Sequence, residues 1–173
     1  MKKYVPLLLV VVILSCKTAK QHQSDAPLEV DKSINLYAFI GKKISVDEFE
    51  VKNKIVYSID SITNDTIKNT SVAMDRGFNA TYQVLKPVFN DLKVDTIQFK
   101  VFNHYGRPYF EKHKTALLYI SKGDGYFYLQ KYQYDVVKKK KGIWKGKKGR
   151  SLQELFNAKK QGVFKARELF SKK

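Results

Sequence analysis

The sequence is poor in the residues that build cross-linked or metal-bound folds. Its single cysteine, Cys16, excludes an intrachain disulfide, a cysteine-rich zinc or iron–sulfur site and any CxxC redox motif. The three histidines, His22, His104 and His113, follow no standard metal-ligand spacing. No GxSxG, Walker loop, HExxH or closely spaced acid pair occurs, so the common hydrolase, nucleotide-binding and metalloprotease classes have no signature here. Acid is scarce as well: 16 Asp and Glu stand against 33 Lys and Arg, a formal charge of +17. Such a surplus repels itself and predicts an anionic partner or surface. What is present is ordinary for one folded domain, since 43% of the 173 residues are hydrophobic and 13% aromatic.

The one long apolar run, Leu7 to Leu14, follows a basic start at Lys2-Lys3 and ends at Ser15-Cys16. It is shorter than the roughly 20 residues a permanent membrane helix requires, and it has secretory-signal architecture. Ile13-Leu14-Ser15-Cys16 resembles the lipobox of bacterial lipoproteins, although Leu14 is bulkier than the residue usual there. The resemblance implies that residues 1–15 are a cleaved signal peptide. It also implies that Cys16 is the lipidation site, carrying several acyl chains such as palmitate and anchoring the mature chain to a membrane. Acyl anchors contribute about 0.8 kcal/mol per buried CH2, and stable anchoring needs more than one chain. Residues 16–27, polar and aperiodic, read as a flexible tether. In such lipoproteins an acidic residue after the cysteine marks inner-membrane retention, and an acidic run marks surface export. Lys17 fits neither, so the resemblance implies the outer membrane, periplasmic face.

From residue 28 to 137 short runs of Ile, Val, Thr, Tyr and Phe alternate with Gly, Asn and Asp clusters, the punctuation of a β domain with six or seven strands. Ile34 to Ile40 and Lys43 to Glu50 read as a hairpin or bent strand pair turning at Gly41-Lys42. Lys54 to Ser61, Phe78 to Phe89, Thr96 to Asn103, Ala116 to Ser121 and Tyr126 to Val136 follow. Lys122-Gly123-Asp124-Gly125 is a strong hairpin signal, because Asp and Gly tolerate positive φ. Spacing this close leaves no room for crossover helices. The fold expected is therefore mainly β, a small antiparallel barrel or a sandwich. Residues 151–173 change to helical spacing, with a capping box at Ser151 and Glu154 and a weak point at Gly162.

The succession Asp75-Arg76-Gly77, Phe78 to Leu85, Asp95 to Phe99 and Thr115 to Ile120 is similar to the netrin-like, OB-type barrels of tissue inhibitors of metalloproteinases and of secreted bacterial domains. The resemblance implies a barrel over a sandwich. The disulfides of the animal members are missing, so protease inhibition is not implied.

Fourteen Lys and Arg but only two acids fall after Asp135. The densest part, residues 138–150, reads as a basic loop in which Lys138, Lys139, Lys140, Lys141, Lys145, Lys147, Lys148 and Arg150 surround Trp144, the only tryptophan. Cations attract phosphates and carboxylates, and an indole stacks on a sugar or a lipid interface, so these nine residues form an anion-binding candidate. The expected function is a non-enzymatic cell-envelope lipoprotein contacting anionic lipid, lipopolysaccharide, peptidoglycan or an acidic protein. An exported, anchored chain rarely meets nucleic acid, and no cofactor is indicated. Two other readings stand beside it. One is a small enzyme or metal-dependent binder centred on His104, Arg107, Glu111 and His113. The other is an adaptor using a sheet face on which Tyr126, Tyr128, Tyr132 and Tyr134 coincide by parity, or which the C-terminal helix covers.

Overall fold

The structure, a computed structural model, describes residues 26–170. The expected signal peptide, Cys16 and most of the expected tether lie outside the described residues. Among the described residues eight strands run in chain order: β1 (Tyr37–Phe49), β2 (Lys54–Ile59), β3 (Thr66–Ser71), β4 (Arg76–Phe89), β5 (Thr96–Asn103), β6 (Thr115–Gly123), β7 (Tyr126–Lys140) and β8 (Ile143–Gly146), followed by the α-helix α1 (Leu152–Lys159). The chain is mainly β, as its composition predicts.

Six strands form one sheet in the order β5-β4-β1-β6-β7-β8, with every neighbouring pair antiparallel. Lys100 of β5 bridges Tyr128 of β7 in parallel and turns the sheet back on itself, so the result is a partly closed barrel and not a sandwich. The first two predicted strands are one. Chain 37–49 continues through Gly41, where the sheet bends so sharply that a Cβ would lie 2.8 Å from the Tyr82 ring and 2.9 Å from Phe39. Register shifts on either side of Gly41 absorb the bend without a turn.

The core has two layers, and the residue pattern explains both. Ala116, Leu118 and Ile120 of β6 point into the barrel with Phe39, Phe78, Tyr82, Phe99 and Phe110. Leu117 and Tyr119 point outward beneath α1, with Ala38, Ile40, Phe89, Phe156 and Phe164. The continuous apolar run in β6 is thus a strand buried on both faces. Phe156 stacks on Phe89 at 4.9 Å, and Tyr119 meets Phe164 edge-on at 5.3 Å. The capping box forms as expected: Glu154 N donates to Ser151 Oγ at 3.2 Å, and Ser151 N donates to Glu154 Oε2 at 2.6 Å. The regular helix is shorter than the predicted 151–173. Its winding widens over Lys160–Phe164, where Gly162 leaves helical angles at φ −94°, ψ −106°.

The Asp124-Gly125 turn joins β6 to β7 as predicted, with φ of 46° and 78°. The tyrosine parity of β7 fails. An irregularity lies between Leu129 and Tyr134, with Tyr132 at φ 64°, so Tyr134 packs against the barrel core while Tyr126 and Tyr132 stay exposed. The helix covers the other side of the sheet. Strands β2 and β3 pair only with each other and form a separate two-stranded arm.

Candidate functional site

The expected basic loop is a hairpin. Lys141 (φ 46°) and Gly142 (φ 80°) make a two-residue turn between Lys140 and Ile143, so the lysine run is the end of β7 and not a mobile connection. Strand alternation then sorts the cations. Lys138 pairs with Lys145 and Lys140 with Ile143 on one face, whereas Lys139 pairs with Trp144 and Val137 with Gly146 on the other.

The second face is clamped to the helix. A Cβ on Gly146 would sit 2.6 Å from Leu155 Cδ1, Trp144 packs against the outer core layer, and Lys139 Nζ lies 5.8 Å from the indole centroid. Trp144 is therefore an anchor for the hairpin. After β8 a tight turn holds Lys148 and Gly149 at φ 58° and 78°, fixed by Gly146 N donating to Arg150 O at 2.8 Å.

Lys138, Lys140, Lys145, Lys147 and Lys148 converge on one cleft of about 790 Å³, lined also by Val136, Tyr109, His113, Gly146 and Gly149. Tyr109 and His113 come from the turn Tyr109–Lys112 and its C-terminal cap, their rings 6.2 Å apart. No aspartate or glutamate lines the cleft. Among the described residues, none of the five lysines is in a salt bridge. The arrangement can hold an anion at its ammonium groups and an apolar or ring portion against lysine stems, Val136 and Tyr109.

The other members of the basic segment face elsewhere. Lys141 is at the hairpin tip. Arg150 borders a smaller recess under the helix with Asp135 and Lys159. There Tyr119 Oη donates to Asp135 Oδ2 at 2.8 Å. Burial pushes the Asp135 carboxyl above its ordinary range, and the Tyr119 hydrogen bond, Lys159 and Arg150 only partly offset it. Burial pushes the Tyr119 phenol far up for the same reason.

The four residues of the alternative centre do not meet at one point. Arg107 and Glu111 satisfy each other through a two-bond contact of 2.8 and 2.9 Å, and Arg107 Nη2 also donates to Val46 O at 2.7 Å. This pairing keeps the Arg107 guanidinium above its usual range. It braces the segment carrying Tyr109 against β1. His104 Nδ1 is 3.5 Å from Asp75 Oδ1, beside Tyr105, whereas His113 belongs to the lysine cleft. Among the described residues, no three of His, Cys, Asp and Glu are close enough to hold a metal ion.

Tyr109 and the membership of His113 are what the sequence reading missed. Tyr109 carries no motif, and its place depends on a barrel contact far away in the chain. The split between Lys138 with Lys140 and Lys139 was available from alternation once Lys141-Gly142 is taken as a turn. No protein family, curated protein or solved structure matches this chain.

Proposed function

We propose that this protein is a non-enzymatic cell-envelope lipoprotein, anchored to the outer membrane through lipidated Cys16, whose β7–β8 cleft binds an anionic envelope component. The observation that carries the reading is the convergence of five lysines and His113 on one cleft with no acid in its walls. Concentrated charge of one sign beside a low-dielectric wall focuses the field and raises the local concentration of anions. Phosphate-bearing lipid or lipopolysaccharide suits the combination of a cationic rim and apolar walls better than a bare carboxylate polymer does. No helix among the described residues is long and apolar enough to cross a membrane.

Two experiments test it. Radiolabelled palmitate should enter the wild-type chain and not a Cys16→Ser variant; labelling of both, or of neither, contradicts the anchor. Residues 17–173 should bind lipopolysaccharide or phosphatidylglycerol vesicles saturably, with affinity falling steeply as salt rises. Binding that is absent, or insensitive to salt, contradicts the cleft.

A further inference from the structure

Two further cavities adjoin the lysine cleft in series, and their chemistry differs from it. Among the described residues, β5 and β7 meet only at the Lys100–Tyr128 bridge. Where the strands part, Asn103 of β5 and Leu129, Tyr132 and Tyr134 of β7 line a gap of about 210 Å³, together with Arg107 and Tyr109. Tyr109 is thus a wall of both the gap and the lysine cleft. The gap in turn shares Phe102, Tyr105 and Tyr132 with an open cavity of about 730 Å³ that contains Asp75, His104 and Lys131. The order is therefore lysine cleft, tyrosine gap, Asp75 cavity.

The middle of the series offers rings to solvent. Tyr105 is 84%, Tyr109 61% and Tyr132 46% exposed. Tyr132 holds φ at 64°, a left-handed angle unusual for a bulky residue, at the irregularity where β7 slips its register with β6. Such backbone angles cluster at ligand-binding sites. Its ring lies 6.3 Å from that of Tyr105. Charge along the series then selects the ligand. The five cleft lysines make no salt bridge among the described residues, whereas Arg107 is paired with Glu111 and Lys131 with Asp75. Free positive charge is confined to one end, so the matching ligand has an anionic head and an uncharged body. Single-stranded nucleic acid repeats its phosphate at every ring and would need free cations along the whole groove. An acyl chain would cover phenol hydroxyls, Arg107 and Asp75 without pairing them.

We propose that the three cavities form one groove for a phosphorylated saccharide, with the phosphate in the lysine cleft, the adjacent sugar against Tyr109 and the next sugar in the tyrosine gap. The inference rests on the anion-binding reading of the cleft and adds the uncharged part of its ligand. A gap of about 210 Å³ is below the roughly 300–1,000 Å³ of a drug-sized site, the scale for a single ring. Sugar C–H faces pack on phenol rings, and sugar hydroxyls exchange hydrogen bonds with the tyrosine hydroxyls. Beyond the gap the Asp75 carboxylate accepts from hydroxyls of a further sugar.

The test is isothermal titration calorimetry of the full chain in a polyoxyethylene detergent, whose head group carries no sugar. Deacylated lipopolysaccharide should bind about tenfold more tightly than inorganic phosphate, and about tenfold more tightly than the same saccharide stripped of phosphate. Tyr105→Ala with Tyr132→Asn removes two exposed rings, and Asn tolerates the left-handed backbone at 132, so this variant should melt no lower than wild type. It should lose about tenfold in affinity for deacylated lipopolysaccharide, the scale of a lost stacking contact, and none for inorganic phosphate. Tyr105→Ala alone, at a side chain 84% exposed, gives the same direction if the double variant melts early. Lys138→Gln with Lys140→Gln should weaken both ligands. If the lysine variant weakens both and the tyrosine variants weaken neither, the saccharide inference fails while the cleft reading stands; if the lysine variant weakens neither, the cleft reading itself fails. Two other results overturn the proposal. Phosphatidylglycerol in the micelles, binding more tightly than deacylated lipopolysaccharide and weakened by the tyrosine variants, would give the gap to acyl chains. A single-stranded oligonucleotide depending as strongly on Tyr105 and Tyr132 would give it to nucleic acid.

Discussion

The β2–β3 and β7–β8 hairpins use the same backbone device, a tight turn holding a residue at positive φ, yet they sit in opposite physical situations. The β7–β8 hairpin has one face packed toward α1 through Trp144 and Gly146, so its open face can hold lysines that make no salt bridge in a fixed array. The β2–β3 arm has no such backing, balances its charge and leaves apolar side chains in water. Support from the core lets a surface carry charge that is unfavourable for folding. A surface without that support keeps its apolar side chains in water.

The support can be removed. Phe156 is fully buried and stacked on Phe89, so Phe156→Ala should cost about 3–5 kcal/mol in denaturant unfolding. At temperatures where the variant stays folded, hydrogen exchange should rise in β8 and α1 and stay unchanged in β2 and β3. Equal loosening of both hairpins would show that the helix is not the specific backing of the basic one. Ser151→Ala, which removes the helix cap, should act in the same direction at about 1 kcal/mol.

A subtler probe lies under that helix. Because burial raises the Asp135 carboxyl above its ordinary value of 3.8, the native state keeps a proton that the unfolded state has lost. Its contribution is full below pH 3.8 and declines as pH rises through the folded value. Asp135→Asn cannot ionise, so its melting temperature should gain on wild type as pH rises above 3.8 and then level off. A gap that shrinks over that range would mean that Lys159 and Arg150 outweigh burial. The smallest effect belongs to the arm: Ile59→Ser should change monomer stability by no more than about 0.5 kcal/mol, since an exposed side chain loses little. A larger loss would place Ile59 in a core contact.

Much of this architecture was legible in the sequence because alternation and turn chemistry are local. The Asp124-Gly125 hairpin, the β5 pattern of Ile97, Phe99 and Val101, and the Ser151 cap needed only neighbouring residues. What was not legible depended on distant partners. Gly41 reads as a turn unless Tyr82 is known to press against it, and Thr66–Ser71 gives no strand signal because Ile67 is its only large apolar residue. The cleft was half legible. Charge density marked the lysines, but only the pairing of β7 with β8 separates Lys138 and Lys140 from Lys139, and only the barrel brings Tyr109 and His113 opposite them.

That separation offers the most direct test of the binding claim, because two variants can lose the same charge from adjacent positions. Lys138→Gln with Lys140→Gln removes two of the five cleft lysines, whereas Lys139→Gln with Lys141→Gln leaves all five in place. Measured against phosphatidylglycerol vesicles or lipopolysaccharide at fixed ionic strength, the first pair should lose about tenfold in affinity, or about 1.4 kcal/mol, and show a shallower salt dependence. The second pair should stay within about twofold of wild type, as expected of charges outside the contact. Equal losses in the two variants would contradict the account, for they would mean that net charge alone, and not the cleft, attracts the anion.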